Sequence, residues 1–125
     1  FCEKIKLYFS RLASNKDENP VVFQIKEYLH QNYAVPSLSV PDISEHVRLS
    51  PTYVCTLFKN ETGQTLNQYL TDYRIKNAKQ FLSDPLYKIT DISAKVGYSD
   101  GNYYSKAFRK IVGLSPSEYR EKMLR

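Results

Sequence analysis

The sequence predicts an all-α fold of about seven helices, in which one helix–corner–helix unit occurs twice and a long linker helix joins the copies. Three observations carry this. Apolar residues recur at i, i+3 and i+4 through most of the 125 residues, while the alternation expected of strands is scarce. Helix-start residues and glycine stops punctuate the chain at regular intervals. The stretch DISEHVRLSPTYVCTLF at 42–58 has a look-alike in DISAKVGYSDGNYYSKAF at 91–108.

The elements follow in order. FCEKIKLYFSRLA sets Phe1, Ile5, Tyr8, Phe9 and Leu12 on one helical stripe, which the polar run SNKDEN at 14–19 ends. Pro20 suits the first turn of the next helix, whose apolar face is Val22, Ile25, Tyr28 and Leu29 and which fades near Asn32. Ser39 and Asp42 form a capping pair that opens a short helix ending around Val47. Arg48 and Leu49 turn a corner, Ser50 caps the following helix with Pro51 at its first position, and Gly63 stops it.

Thr65 and Gln68 form a capping box for the longest pattern, LNQYLTDYRIKNAKQFL, with Leu66, Tyr69, Leu70, Tyr73, Ile75, Ala78, Phe81 and Leu82 as its apolar residues. Its length is about 25 Å at 1.5 Å per residue, and Asp84-Pro85 ends it. A helix over 88–96, a corner at Gly97, a helix over 100–112 and a stop at Gly113 then repeat the first cycle. Ser115 and Glu118 cap a last helix reaching about Leu124. Four segments follow: a connecting helix and linker over 1–18, a first unit over 19–65, a linker helix over 66–83 and a second unit over 84–125.

The repeat holds register. Val40, Asp42, Ile43, Ser44, Val47 and Ser50 match Ile89, Asp91, Ile92, Ser93, Val96 and Ser99 at an offset of 49. One extra residue enters after Ser99, and Tyr53, Phe58, Lys59, Gly63 and Tyr69 then match Tyr103, Phe108, Arg109, Gly113 and Tyr119 at 50. Core and turn positions match together, as in a duplicated helix-turn-helix.

Composition is that of an ordinary globular chain, 42% hydrophobic and 25% charged, with 11 tyrosines and no tryptophan. No apolar run approaches the roughly 20 residues of a membrane span and no secretory signal is present. Because the chain starts at Phe1, it is expected to be part of a longer protein. Cys2 and Cys55 stand far apart without metal-ligand spacing, so neither a disulfide framework nor a zinc site is expected, and a reducing cytoplasm is. His30 and His46 sit singly in helical stretches and read as ordinary surface or core histidines. There is no Ser/His/Asp grouping, phosphate loop or carboxylate pair, and Asp42 and Asp91 hold equivalent capping positions, so no enzyme and no cofactor is expected.

The net charge of +5 is uneven. Residues 1–65 carry 7 Lys/Arg against 7 Asp/Glu, and residues 66–125 carry 11 against 6. A basic half favours a polyanion, either nucleic acid or an acidic membrane surface. The duplicated unit points to duplex DNA, since a helix standing proud of a helix-turn-helix fits the major groove.

In the second copy Tyr104, Ala107, Phe108 and Ile111 should face the core. Asn102, Tyr103, Ser105, Lys106, Arg109 and Lys110 then face outward. Asn102 can read an adenine edge, Lys106 a guanine, with Tyr103 between them. Ser99, Ser105, Arg109 and Lys110 suit phosphate oxygens. In the first copy Val54, Leu57 and Phe58 go inward, Thr52, Cys55 and Thr56 form a base-facing surface of small groups, and Ser50 and Lys59 suit phosphates. That face is expected to read shape and thymine methyls. Adjacent major-groove faces recur every ~34–36 Å, a span that a ~25 Å helix plus the packed units at its ends can reach.

The combination LSPTYVCTLFKNETGQTLNQYLTDYRIKNAKQFL and ITDISAKVGYSDGNYYSKAFRKIVGLSPSEYR resembles the AraC/XylS family of bacterial transcription regulators over roughly residues 20–122. The resemblance implies a domain whose two helix-turn-helix units bind successive major grooves. It further implies promoter activation, often by touching RNA polymerase, and base-facing positions at Thr52, Cys55, Thr56, Asn102, Tyr103 and Lys106. Many members carry Ser-Arg where this chain has Cys55-Thr56, which leaves its first helix without that arginine. Arg74 falls on a frequently basic position, with a phosphate contact or a core-edge ion pair as the open alternatives. The family usually joins this domain to a sensory domain. The overall look is similar to response regulators in which a receiver precedes it, and residues 1–18 read equally as the end of a connecting helix or as a loose remnant. A helical protein–protein module with a basic face is the competing reading.

Overall fold

In the computed structural model, residues 18–124 are described, and they form seven helices without a strand. These are α1 (Pro20–Asn32), α2 (Val40–Val47), α3 (Pro51–Thr62), α4 (Leu66–Leu82), α5 (Ile89–Lys95), α6 (Gly101–Val112) and α7 (Pro116–Met123). The helix expected over the first residues lies outside the described part of the chain.

Local chemistry sets the ends. The backbone N–H of Ser39 donates to the Asp42 carboxylate at 3.0 Å, and the Ser50 hydroxyl accepts from the N–H of Tyr53 at 3.1 Å. Reciprocal boxes at Thr65/Gln68 and Ser115/Glu118 open α4 and α7, each satisfying N–H groups that the helix leaves unpaired. Gly63 (φ 82°) and Gly113 (φ 92°) close α3 and α6 in the left-handed region, donating to the carbonyls of Lys59 and Arg109. Both ends of α5 and the start of α6 each differ by one residue from the sequence reading. The residue capping α6 is Asp100, whose carboxylate accepts from the N–H of Asn102 at 2.9 Å. The inserted residue thus takes the place that Ser50 holds in the first copy, and Ser99 lies outside the helix.

The repeat extends to three dimensions. From 51 to 69 and from 101 to 119 the sequence of buried, half-buried and exposed residues is the same at every position. Phe58 meets Tyr69 edge-to-face at 5.4 Å, and Phe108 meets Tyr119 at 5.6 Å. Both corners carry the paired hydrogen bonds of a Schellman ending: Leu49 N–H to Ser44 O at 3.0 Å, and Tyr98 N–H to Ser93 O at 2.9 Å.

Two apolar clusters result. Val22, Ile25, Leu29, Ile43, Val54, Phe58, Leu66 and Leu70 form one, and Ile75, Ala78, Leu82, Ile92, Val96, Tyr98, Tyr104 and Phe108 the other. Helix α4 is common to both, Leu66 and Leu70 in one cluster and Ile75, Ala78 and Leu82 in the other. Tyr28, expected in the core, is half-buried and stacks on His46 at 4.3 Å. His30 is held against the Tyr69 hydroxyl at 2.8 Å and stacks on Tyr73, so both histidines serve packing. Ile111 is a correction: it is 44% exposed, and Val112 packs against the second cluster in its stead. Helical spacing gives Ile111 the core face, but α6 borders a cleft on that side, so the residue lines the cleft wall.

Arg74 follows neither alternative. It is buried in α4, with Nε donating to the carbonyl of Tyr33 at 2.8 Å and Nη2 to that of Val35 at 3.0 Å. Burial lowers its pKa, but a guanidinium remains charged at any working pH. Arg120 of α7 plays the matching part at the end of α4, donating to the carbonyls of Leu82 at 3.0 Å and Asp84 at 3.1 Å. In each half an arginine from the closing helix thus donates to carbonyls at or just past the end of the opening helix.

Candidate nucleic-acid interface

All twelve residues expected to meet a nucleic acid are exposed: Ser50, Thr52, Cys55, Thr56 and Lys59 on or just before α3, and Ser99, Asn102, Tyr103, Ser105, Lys106, Arg109 and Lys110 on or just before α6. Burial of Val54 and Phe58 on one helix, and of Tyr104 and Phe108 on the other, turns the remaining faces outward. The two faces differ in chemistry. Helix α6 presents one amide and three cations, whereas α3 presents hydroxyls, the free thiol of Cys55, one amide, Asn60, and one cation, Lys59.

The residues of α6 divide between two concavities. Tyr103, Lys106, Lys110 and Ile111 line a cleft of about 750 Å³, facing Gln64, Asn67, Gln68 and Thr71. Asn102 and Ser105 border a smaller depression with Thr90, Ser93, Ser115 and Ser117. Thr52, Cys55 and Thr56 line neither. The ring of Tyr103 lies edge-on to Tyr98 at 5.8 Å, which limits its freedom while leaving it 64% exposed.

Electrostatics favour an anion at α6. Arg109 has one weak ion pair, with Glu118 at 3.9 Å, and both side chains are more than half exposed. Such a pair is worth about 0–1 kcal/mol and yields readily to a phosphate. Glu118 is held below the usual carboxylate range by hydrogen bonds from Ser115 N–H and hydroxyl, with Arg109 a smaller contribution, so its first duty is to cap α7. Sequence reasoning missed Asp100, which puts a carboxylate at the start of α6, and missed Gln64, Asn67 and Gln68. Gln68 reads only as a capping residue and the other two carry no local signal; the packing of α6 opposite the start of α4 makes them a cleft wall.

Comparison with known proteins bears on the family and the fold. Residues 43–122 match a family described as a helix-turn-helix domain. The Msm operon regulatory protein of Streptococcus mutans is 34% identical over 110 residues, covering 88% of this chain and 39% of that protein. The C-terminal domain of AraT, a response regulator from Geobacillus stearothermophilus, superposes with a TM-score of 0.81 at 30% identity, covering 83% of this chain and 86% of that one. A transcriptional regulator from Chromobacterium violaceum, described with AraC-type DNA-binding domain-containing proteins, superposes with a TM-score of 0.78 at 25% identity, covering 89% and 98%. This chain belongs to the AraC-type helix-turn-helix family of DNA-binding transcription regulators.

Proposed function

We propose that α3 and α6 enter successive major grooves on one side of a duplex and that α6 carries most of the sequence reading. The observation behind this is the identical exposure pattern of the two helices, coupled with their unequal chemistry. Asn102, Tyr103 and Lys106 read base edges from α6; Thr52, Cys55 and Thr56 contribute apolar and shape contacts from α3. Ser50, Lys59, Ser99, Ser105, Arg109 and Lys110 hold phosphates. Residues 19–65 and 84–125 then act as two binding units and 66–83 as the spacer, in keeping with the way α4 shares its apolar residues between two clusters.

The parent protein, on this reading, regulates transcription in the cytoplasm, as an activator that touches RNA polymerase, with a sensory or receiver domain N-terminal to Phe1 and residues 1–18 as the connection to it. The likeness to the C-terminal domain of a response regulator supports the last point. No described helix is long and apolar enough to cross a membrane. Selecting bound sequences from a random duplex pool tests the proposal. The expected outcome is two boxes about 10–10.5 base pairs apart, with the better-defined one under α6. A pool that never enriches would favour the basic face as a protein-docking surface.

A further inference from the structure

Each unit packs on its own half of α4, and the change-over between the two clusters falls between Leu70 and Ile75. Arg74 stands at that change-over with less than a tenth of its surface exposed. Its donors reach the carbonyls of Tyr33 and Val35, in the segment after α1, so they fasten the first unit. Its guanidinium carbon lies 5.3 Å from the centre of the Tyr98 ring, which belongs to the second cluster. Gly97 closes the arrangement. A Cβ there would lie 2.3 Å from the Tyr33 carbonyl oxygen and 2.7 Å from Arg74 Nε, and its φ of 97° is itself a glycine conformation. The equivalent corner residue in the first copy is Arg48, which holds a φ of 61° with a full side chain. The second corner therefore needs its glycine for close approach as well as for the turn.

These contacts form the floor of the cleft between α6 and the first half of α4, which Arg74 and Tyr98 both line. The cleft keeps Lys106 and Lys110 apart from Gln64 and Asn67, so rocking of one unit against the other across it is limited at the floor.

We infer that Arg74 is a positioning residue: clamped between the Tyr33 and Val35 carbonyls and the Gly97–Tyr98 corner, it fixes the angle between the two units and so the spacing of DNA boxes they grip together. The consequence for DNA rests on the two-groove reading above, whereas the angle itself is a property of the free protein. Gripping both boxes at once raises affinity only when the geometry of the two units matches their separation.

The test has two arms. In the first, nitroxide labels on native Cys55 and on Ser105→Cys, in a Cys2→Ser background, report the α3-to-α6 distance without DNA. The parent should give a narrow distribution and Arg74→Gln a broadened or displaced one at unchanged helical circular dichroism. In the second, Arg74→Gln should lose about tenfold or more on a two-box duplex but less than about threefold on either box alone, and tolerate a one-base-pair change of spacing better than the parent. An unchanged distance distribution, or equal losses on all three duplexes, overturns the assignment. Absence of duplex binding by the parent would sink the two-groove reading while leaving the distance arm to decide on Arg74. Should Arg74→Gln not fold, Arg74→Lys is measured instead; failure of both to fold would make Arg74 a folding residue and also overturn it.

Discussion

Replacing Arg109 with alanine should change the salt dependence of DNA binding by a set amount. Three of the proposed phosphate contacts are cations: Lys59, Arg109 and Lys110. Each phosphate neutralised contributes about −0.9 to the slope of log K against log salt, so three give about −2.7. Between about 50 mM and about 200 mM salt the parent should therefore lose affinity about 40-fold, and Arg109→Ala, with a slope of about −1.8, about 12-fold. The side chain is 65% exposed and its partner Glu118 sits 3.9 Å away, so little folding stability is at stake. Anisotropy titrations of a labelled duplex at four salt concentrations would measure both slopes. Arg109→Ala should weaken cognate and scrambled duplexes by the same factor, as expected of a contact that carries no sequence information. An unaltered slope would show that Arg109 meets no phosphate; a loss confined to the cognate duplex would make it a base reader.

Other outcomes follow from the same residues. Lys106→Ala should cost roughly 1–3 kcal/mol on the cognate duplex and relax preference at one base pair, visible when variants of each position are titrated; equal loss on every sequence would make it a phosphate anchor. Tyr104→Phe should leave stability unchanged or raise it by up to about 2 kcal/mol, because its hydroxyl is buried with no hydrogen-bond partner among the described residues while its ring packs beside Tyr98 and Phe108. A urea midpoint lower than the parent's would contradict that. Burial raises the pKa of Tyr69 and of Tyr104 to about 12, from the usual value of 10.0. The unfolded chain thus gives up these protons first as pH rises, so the stability they confer is complete below about pH 10 and drains away toward pH 12. Denaturation midpoints that stay level through pH 11 would refute it.

Much of the fold is legible in the sequence because its signals are local. Capping at Ser39, Ser50, Thr65 and Ser115, glycine stops at 63 and 113 and the doubled apolar pattern each depend on residues within a turn or two of one another. The outward faces of α3 and α6 are legible for the same reason, since burying Val54 and Phe58, or Tyr104 and Phe108, orients everything else on a helix. What escapes is whatever depends on distant segments meeting. Arg74 reads as a phosphate contact or a core-edge ion pair because the carbonyls that hold it lie some forty residues earlier. Gly97 reads as an ordinary corner because the Tyr33 oxygen against it is invisible to local pattern. Ile111 has the spacing of a core residue, but tertiary packing leaves a cleft where a neighbour was expected. Asp100 caps α6 although the alignment of the copies pairs Ser99 with the cap Ser50, because the inserted residue shifts the helix start by one.

The account stands on two helices gripping one face of a duplex, and guanine-N7 methylation protection tests that directly. On a duplex recovered by selection, the bound protein should shield two groups of major-groove positions centred about 10–10.5 base pairs apart on the same face, and Lys106→Ala should release one group while the other persists. A single protected group, or two on opposite faces of the duplex, would contradict the account.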